Sequence, residues 1–67
     1  METYERLIPE LRAAMNISQE ELAKILGVSL VTVSRWENGH VKPTKIIKVK
    51  LGKLFTRYDI NVEDNWQ

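Results

Sequence analysis

Cysteine is absent from this chain of 67 residues, and histidine occurs once, at His40. The absence of cysteine excludes disulfides and thiolate metal ligands, and a single histidine would need carboxylates beside it to hold a metal. The sequence therefore predicts no metal site and no cofactor. No apolar run approaches the roughly 20 residues that span a bilayer, and no signal-peptide pattern is visible. We therefore expect a cytoplasmic protein that does not contact a membrane.

Groups suited to catalysis are also scarce. No serine stands beside a plausible base, and no glycine-rich loop could cradle a phosphate. Glu20 and Glu21 are adjacent, so they do not share a helix face. Only His40 could act as a general base near neutral pH, and no nucleophile is evident near it. The sequence predicts a protein that is not an enzyme.

Charge is distributed unevenly, although the formal net charge is only +1. Residues 28–58 carry seven Lys or Arg against one Glu, whereas residues 1–27 carry five Glu against three Lys or Arg. Three acidic residues follow in 59–67. A basic middle between acidic ends is typical of a surface that faces an anion such as nucleic acid. The same lysines could also merely solvate an exposed helix face.

Capping and turn residues along the chain predict a series of short helices, and the sequence has no strand pattern and no internal repeat. Apolar residues at helical spacing indicate a first helix that ends at Asn16, a residue that tolerates a left-handed backbone. Proline lacks an N–H and fits a first turn, so Pro9 places the start of this helix near Leu7.

Two further helices are predicted on either side of a tight turn. Ser18 and Glu21 form a capping box ahead of the second helix, which stops at Gly27. Ser29 is placed to cap a third helix that runs through Glu37. Two helices joined so closely need apolar residues where they cross, and this sequence has them at Leu22, Leu26, Val28, Val33 and Trp36.

A fourth and longer helix follows, capped by Thr44 and ending at about Arg57. Its predicted core face consists of Ile47, Leu51, Leu54, Phe55 and Tyr58. Asn61 could cap a last short turn that carries Val62 and Trp66. These last apolar residues could either close the core or form a dimer surface.

The run SQEELAKILGVSLVTVSRWENGHVKP, preceded by LRAAMNI, resembles the Cro/phage-repressor (XRE) helix-turn-helix family. The resemblance is close over residues 11–43 and looser over the fourth helix. It implies an all-α fold, a compact bundle of about five short helices in one domain over 1–67, with the helix-turn-helix at about 18–37. It also implies binding to double-stranded DNA at a pseudo-palindromic operator, as a homodimer at least on DNA.

Site residues carry over by position from the same resemblance. Those expected to contact DNA are Gln19, Ser29, Leu30, Val31, Thr32, Ser34, Arg35, Asn38, His40 and Lys42. The N-terminal part of the third helix and Arg35 would face the major groove, while Gln19 and the loop after that helix would hold phosphates. Arg12 and Glu37 resemble the family's partly buried ion pair, which is structural and makes no DNA contact.

The sequence departs from commoner family members in ways that bear on specificity. Leu30 and Val31 are apolar, so they can meet thymine methyls but cannot identify a base by hydrogen bonds. They could instead pack against the turn at Gln19 or against a neighbouring subunit. Arg35 is then the one strong candidate for a guanine contact. Lys45 and Gly52 stand where relatives carry apolar residues or alanine.

The predicted function is a sequence-specific transcriptional regulator, a small repressor that inserts the helix at 29–37 in the major groove. The alternative is an antitoxin-like protein that binds its own promoter and a partner protein. A third reading is an interaction module that has kept the frame but no longer binds DNA. Replacement of Arg35 separates the readings, since only a DNA reader would lose base preference.

Overall fold

A computed structural model describes residues 3–62, and every regular element in that range is helical. The helices are α1 (Thr3–Met15), α2 (Gln19–Leu26), α3 (Leu30–Glu37) and α4 (Lys45–Arg57). The all-α class is confirmed, whereas the described range holds four helices and not about five. Asn61 and Val62 lie outside any helix, and Trp66, predicted on a last turn, lies outside the described residues.

The predicted start of α1 near Leu7 is wrong, because the helix begins one turn earlier and contains Pro9 in its interior. The missing N–H of a proline and its steric clash cost about 3 kcal/mol within a helix. Tyr4, Leu7 and Ile8 are at most 3% exposed, and burial of a large apolar side chain contributes about 1.5–3 kcal/mol. Tertiary packing of this face therefore outweighs the local cost of the proline.

Hydroxyl side chains cap α2, α3 and α4, as predicted. The side-chain oxygens of Ser18, Ser29 and Thr44 each accept from the backbone N–H three residues later, at 3.0, 3.1 and 3.5 Å. At α2 the Glu21 carboxylate also accepts from the Ser18 N–H at 2.8 Å, which completes the capping box. These caps satisfy N–H groups that have no partner inside the helix.

All four helices end in the same kind of turn. A residue with φ between 58° and 76° follows each helix, at Asn16, Gly27, Gly39 and Asp59. The N–H of the next residue then bonds to the carbonyl five residues before it, at 2.8–3.0 Å, which is the Schellman pattern. In three of these turns that next residue is apolar and packs against the core, namely Ile17, Val28 and Ile60.

The hydrophobic core draws on every helix. Its buried members are Tyr4, Leu7, Ile8, Leu11, Leu22, Ala23, Leu26, Val33, Trp36, Leu51 and Phe55. The largest of them, Trp36 and Phe55, are 2% and 1% exposed. The four residues predicted to be buried where α2 crosses α3 on either side of the turn are confirmed, and Val28 is half-buried against them.

The core face of α4 differs from the prediction at one position. Leu51 and Phe55 are buried and Ile47 and Leu54 pack against the core, but Tyr58 is 37% exposed. Tyr58 follows the last residue of α4 and has φ of −101°, so the helical repeat no longer carries it towards the core. The turn at Asp59 brings Ile60 against the core instead.

The longest helices have 13 residues. Within residues 3–62, none combines the length and the hydropathy needed to cross a bilayer.

Candidate nucleic-acid interface

The turn between α2 and α3 sets the angle between the two helices. Gly27 has φ of 75°, and no atom lies within 4 Å of the place where its Cβ would stand. Glycine is therefore required there by backbone conformation and not by space. Ala23 is 3% exposed, so a small side chain stands in the packed face of α2. The arrangement holds α3 against both α1 and α2.

The two faces of α3 have different environments. Val33 and Trp36 are 0% and 2% exposed and hold the helix to the core. Leu30 and Val31 are 46% and 60% exposed, and Arg35 is exposed as well. Val31 and Arg35 are four residues apart and share the outward face, and Leu30 is exposed at the start of the helix. A helix with one face free fits the width of the B-DNA major groove.

The hydroxyl groups near α3 are already engaged with one another or with the backbone. The oxygens of Ser29 and Thr32 lie 2.8 Å apart, and the backbone N–H of Thr32 donates to Ser29. Asn38 Nδ2 donates to the Ser34 hydroxyl at 3.4 Å. In the first pair one hydroxyl donates to the other. The second proton of that pair remains for an external acceptor.

A loop with exposed side chains follows α3. Gly39 has φ of 76°, and the side chain of Glu5 occupies the place that a Cβ at Gly39 would fill. Asn38, His40 and Lys42 are all exposed. The loop follows α3 directly in the chain. The exposed Arg35 of α3 and the exposed Lys42 of the loop are therefore only seven residues apart in the sequence.

An ion pair joins the first helix to the end of the third. Arg12 Nε donates to Glu37 Oε2 at 2.7 Å and Arg12 Nη2 to Oε1 at 3.2 Å, a bidentate arrangement. Arg12 Nη1 also donates to the Ile17 carbonyl at 3.3 Å. The hydrogen bond to Glu37 raises the pKa of Arg12 above its ordinary value, and partial burial opposes that rise. The guanidinium is therefore charged at every physiological pH.

Gln19 enters the same network, which the sequence reading did not anticipate. Its Nε2 donates to Glu37 Oε1 at 2.9 Å, so the side chain turns towards the ion pair. This bond uses one of the two N–H groups of the amide. As the first residue of α2, Gln19 also has a backbone N–H without an acceptor inside the helix. Contact of any of the predicted site residues with DNA stays a prediction.

A second surface feature was not identified from the sequence. A groove of about 660 Å³ runs along the outer side of α4, lined by Lys45, Lys48, Val49, Gly52, Lys53, Thr56 and Val62. The helical spacing of the lysines could have indicated a shared face, but Val62 joins it only through the fold. No group of three His, Cys, Asp or Glu in residues 3–62 could hold a metal.

This chain is similar to known helix-turn-helix proteins. The profile of a family described as helix-turn-helix matches residues 8–55. An uncharacterised HTH-type transcriptional regulator of Methanocaldococcus jannaschii is 40% identical over 53 residues, which are 79% of this chain and 76% of that protein. A similarly described regulator of Archaeoglobus fulgidus is 40% identical over 48 residues, or 72% and 68% of the two chains.

A third relative comes from a bacterium. The uncharacterised HTH-type transcriptional regulator YgzD of Bacillus subtilis is 37% identical over 49 residues, which are 73% of this chain and 74% of that protein. No solved structure matches the chain.

Proposed function

Because this chain belongs to the helix-turn-helix family of Cro/phage-repressor (XRE) type, we propose that it is a sequence-specific regulator that inserts α3 into the major groove of double-stranded DNA. One observation carries the proposal. The inner face of α3 is held by the buried Val33 and Trp36, while Val31 and Arg35 project from the opposite face. A rigid helix with one exposed face is what major-groove recognition requires.

Base recognition would rest on Val31 and Arg35 of that face and on Leu30, which is exposed at the start of the helix. Arg35 is suited to a bidentate contact with the O6 and N7 atoms of guanine. Leu30 and Val31 have no hydrogen-bonding atoms in their side chains, so they would pack against thymine methyl groups. A site read in this way has one strongly specified G·C pair beside weaker A·T preferences.

Phosphate contacts would fix the position of α3 in the groove without specifying the sequence. The candidates surround the outward face at the start of α2, at both ends of α3 and in the following loop. They are Gln19, Ser29, Thr32, Ser34, Asn38, His40 and Lys42. The bond from Gln19 to Glu37 at 2.9 Å makes the backbone N–H at the start of α2 the better phosphate donor of that residue.

The regulator would act as a repressor that occupies a pseudo-palindromic operator as a homodimer. Two recognition helices would then enter successive major grooves about 34 Å apart. The homodimer is supported by what is usual in the family. Sedimentation velocity at tens of micromolar, with and without operator DNA, tests it, and monomer under both conditions would exclude it.

The first experiment is selection of binding sites from a random duplex pool, followed by anisotropy titrations at several salt concentrations. We expect an inverted repeat that binds about a thousandfold more tightly than a scrambled duplex. A steep salt dependence without a preferred sequence would mean that the protein coats DNA nonspecifically. Absence of binding at low salt would exclude the DNA function and leave a protein partner, as in the antitoxin-like alternative.

A matched pair of variants tests the role of Arg35. Arg35→Ala should lose about 1–3 kcal/mol of preference at one base pair and little at the others. Arg57→Ala removes the same charge from the last turn of α4 and should leave base preference unchanged. Equal losses in the two variants, spread over all sequences, would show that Arg35 supplies charge and not recognition.

A further inference from the structure

The groove along α4 is apolar at its centre and basic at its edges. Val49, in the middle of the helix, is 56% exposed, and Ile46 beside it is 71% exposed. Gly52 lines the groove without a side chain, so the wall is lowest there. Both apolar residues stand on the solvent side of a helix whose opposite side is buried through Leu51 and Phe55. A folded chain of this size gains by covering such a surface.

The lining of the groove determines the chemistry of an occupant. Lys45, Lys48 and Lys53 bring three positive charges to it, which favours an acidic segment. The exposed valine and the lack of a side chain at Gly52 favour a flat apolar side chain. A volume of about 660 Å³ lies within the range of sites that hold an aromatic group. The same face of a second copy would bring lysine against lysine, so that occupant is disfavoured.

The chain itself carries a segment with this chemistry, and the segment begins at the groove. Val62 lines the groove, and the next residues are Glu63, Asp64, Asn65, Trp66 and Gln67. Four residues of extended chain span up to about 14 Å. The groove follows α4 from Lys45 to Thr56, a rise of about 17 Å. An indole at position 66 can therefore reach the centre of the groove from Val62.

We propose that residues 63–67 occupy the α4 groove of their own chain, with the Trp66 indole against Val49 and Gly52 and the acidic pair beside the lysines. Three independent observations agree on this occupant: the charges are opposite, the apolar centre matches the aromatic residue, and Val62, the residue before the segment, lines the groove. The proposal does not depend on DNA binding, so either can fail without the other.

Fluorine NMR of the full chain labelled with 5-fluorotryptophan tests this proposal directly. The chain has two tryptophans, and Trp36, which is 2% exposed, serves as the buried reference. Trp66 should show a smaller solvent-isotope shift than it shows in urea, equally at low and high protein concentration. Trp66→Phe assigns the two resonances. A Trp66 signal with the shift of the denatured chain would overturn the proposal.

Variants of the groove test which residues hold the indole. Gly52→Leu adds a side chain to the lining of the groove and should move the Trp66 resonance to its denatured shift. Ala13→Leu adds the same side chain at an exposed position of α1 and should leave that resonance unchanged. Lys53→Glu, which leaves the helix packing intact, should release the segment in part. An unchanged Trp66 signal in folded Gly52→Leu and in Lys53→Glu would show that the indole lies elsewhere.

The concentration series distinguishes the segment's own groove from that of a second copy. If the segment occupies the groove of its own chain, the Trp66 shift is the same at all protein concentrations, whether the protein is a monomer or a dimer. A shift that changes together with the sedimentation coefficient would mean exchange of segments between copies, which contradicts the proposal. High salt should weaken the contact, because the exposed charges are screened.

Discussion

Replacement of Arg12 by methionine removes a charge that joins α1 to the end of α3 while it keeps an unbranched apolar stem. Arg12 donates twice to Glu37, at 2.7 and 3.2 Å, and once to the Ile17 carbonyl. The Arg12 and Glu37 side chains are 24% and 11% exposed, so the remaining carboxylate would be poorly solvated. Among residues 3–62, only Gln19, at 2.9 Å, would still donate to it.

The expected cost lies between two limits. An exposed ion pair contributes about 0.2–1 kcal/mol, whereas breaking a fully buried pair costs about 3–5 kcal/mol. The Arg12–Glu37 pair is nearer the buried limit, and its hydrogen bonds are charge-assisted. We therefore expect a loss of about 2–3 kcal/mol. For a domain of this size that corresponds to a fall in Tm of roughly 10–20 °C.

Arg6→Met is the matched control in the same helix. Arg6 pairs with Glu10 at 2.9 Å, but the two side chains are 51% and 44% exposed, so its loss should cost less than about 1 kcal/mol. The assay is urea and thermal unfolding of both variants, followed by circular dichroism at 222 nm. A cost for Arg12→Met no larger than that for Arg6→Met would refute the reasoning. If folded Arg12→Met lost more DNA affinity than folded Arg6→Met, a purely structural role of Arg12 would be contradicted.

Three further substitutions test the local structure by urea unfolding. Ser18→Ala removes the acceptor of the Glu21 N–H and should cost about 0.5–2 kcal/mol; no measurable loss would mean that the capping box does not stabilise α2. Gly27→Ala forces a side chain into φ of 75° and should cost about 1–2 kcal/mol, although no atom obstructs it. A stabilising effect of Gly27→Ala would contradict the positive φ at this position. Leu51→Ala opens a cavity at a position that is 0% exposed and should cost about 2–5 kcal/mol; a cost below 1 kcal/mol would place it outside the core.

The elements that the sequence predicted well depend on neighbours in the chain. The capping box of Ser18 and Glu21 closes over three residues, and the turn at Gly27 depends on the conformation of one residue. Their geometry therefore follows from residue type and local spacing. The buried positions of α2 and α3 were also predicted, because two packed helices repeat their contacts every three or four residues.

Other features depend on contacts between distant residues, and sequence patterns did not reveal them. The start of α1 was predicted too late, because only the packed core shows that burial of Tyr4 outweighs the cost of Pro9. The exposure of Tyr58 follows from the turn at Asp59, a residue type that adopts positive φ only occasionally.

The all-α class, the caps of three helices and the helix-turn-helix could be predicted from the sequence, since these follow from residue types at fixed short spacings. The bond from Gln19 to Glu37, 18 residues away, and the place of Val62 in a groove on α4 became visible only in the folded chain. Such contacts depend on the angle at which helices pack. That angle results from the fit of the whole core and not from the pattern of any one segment.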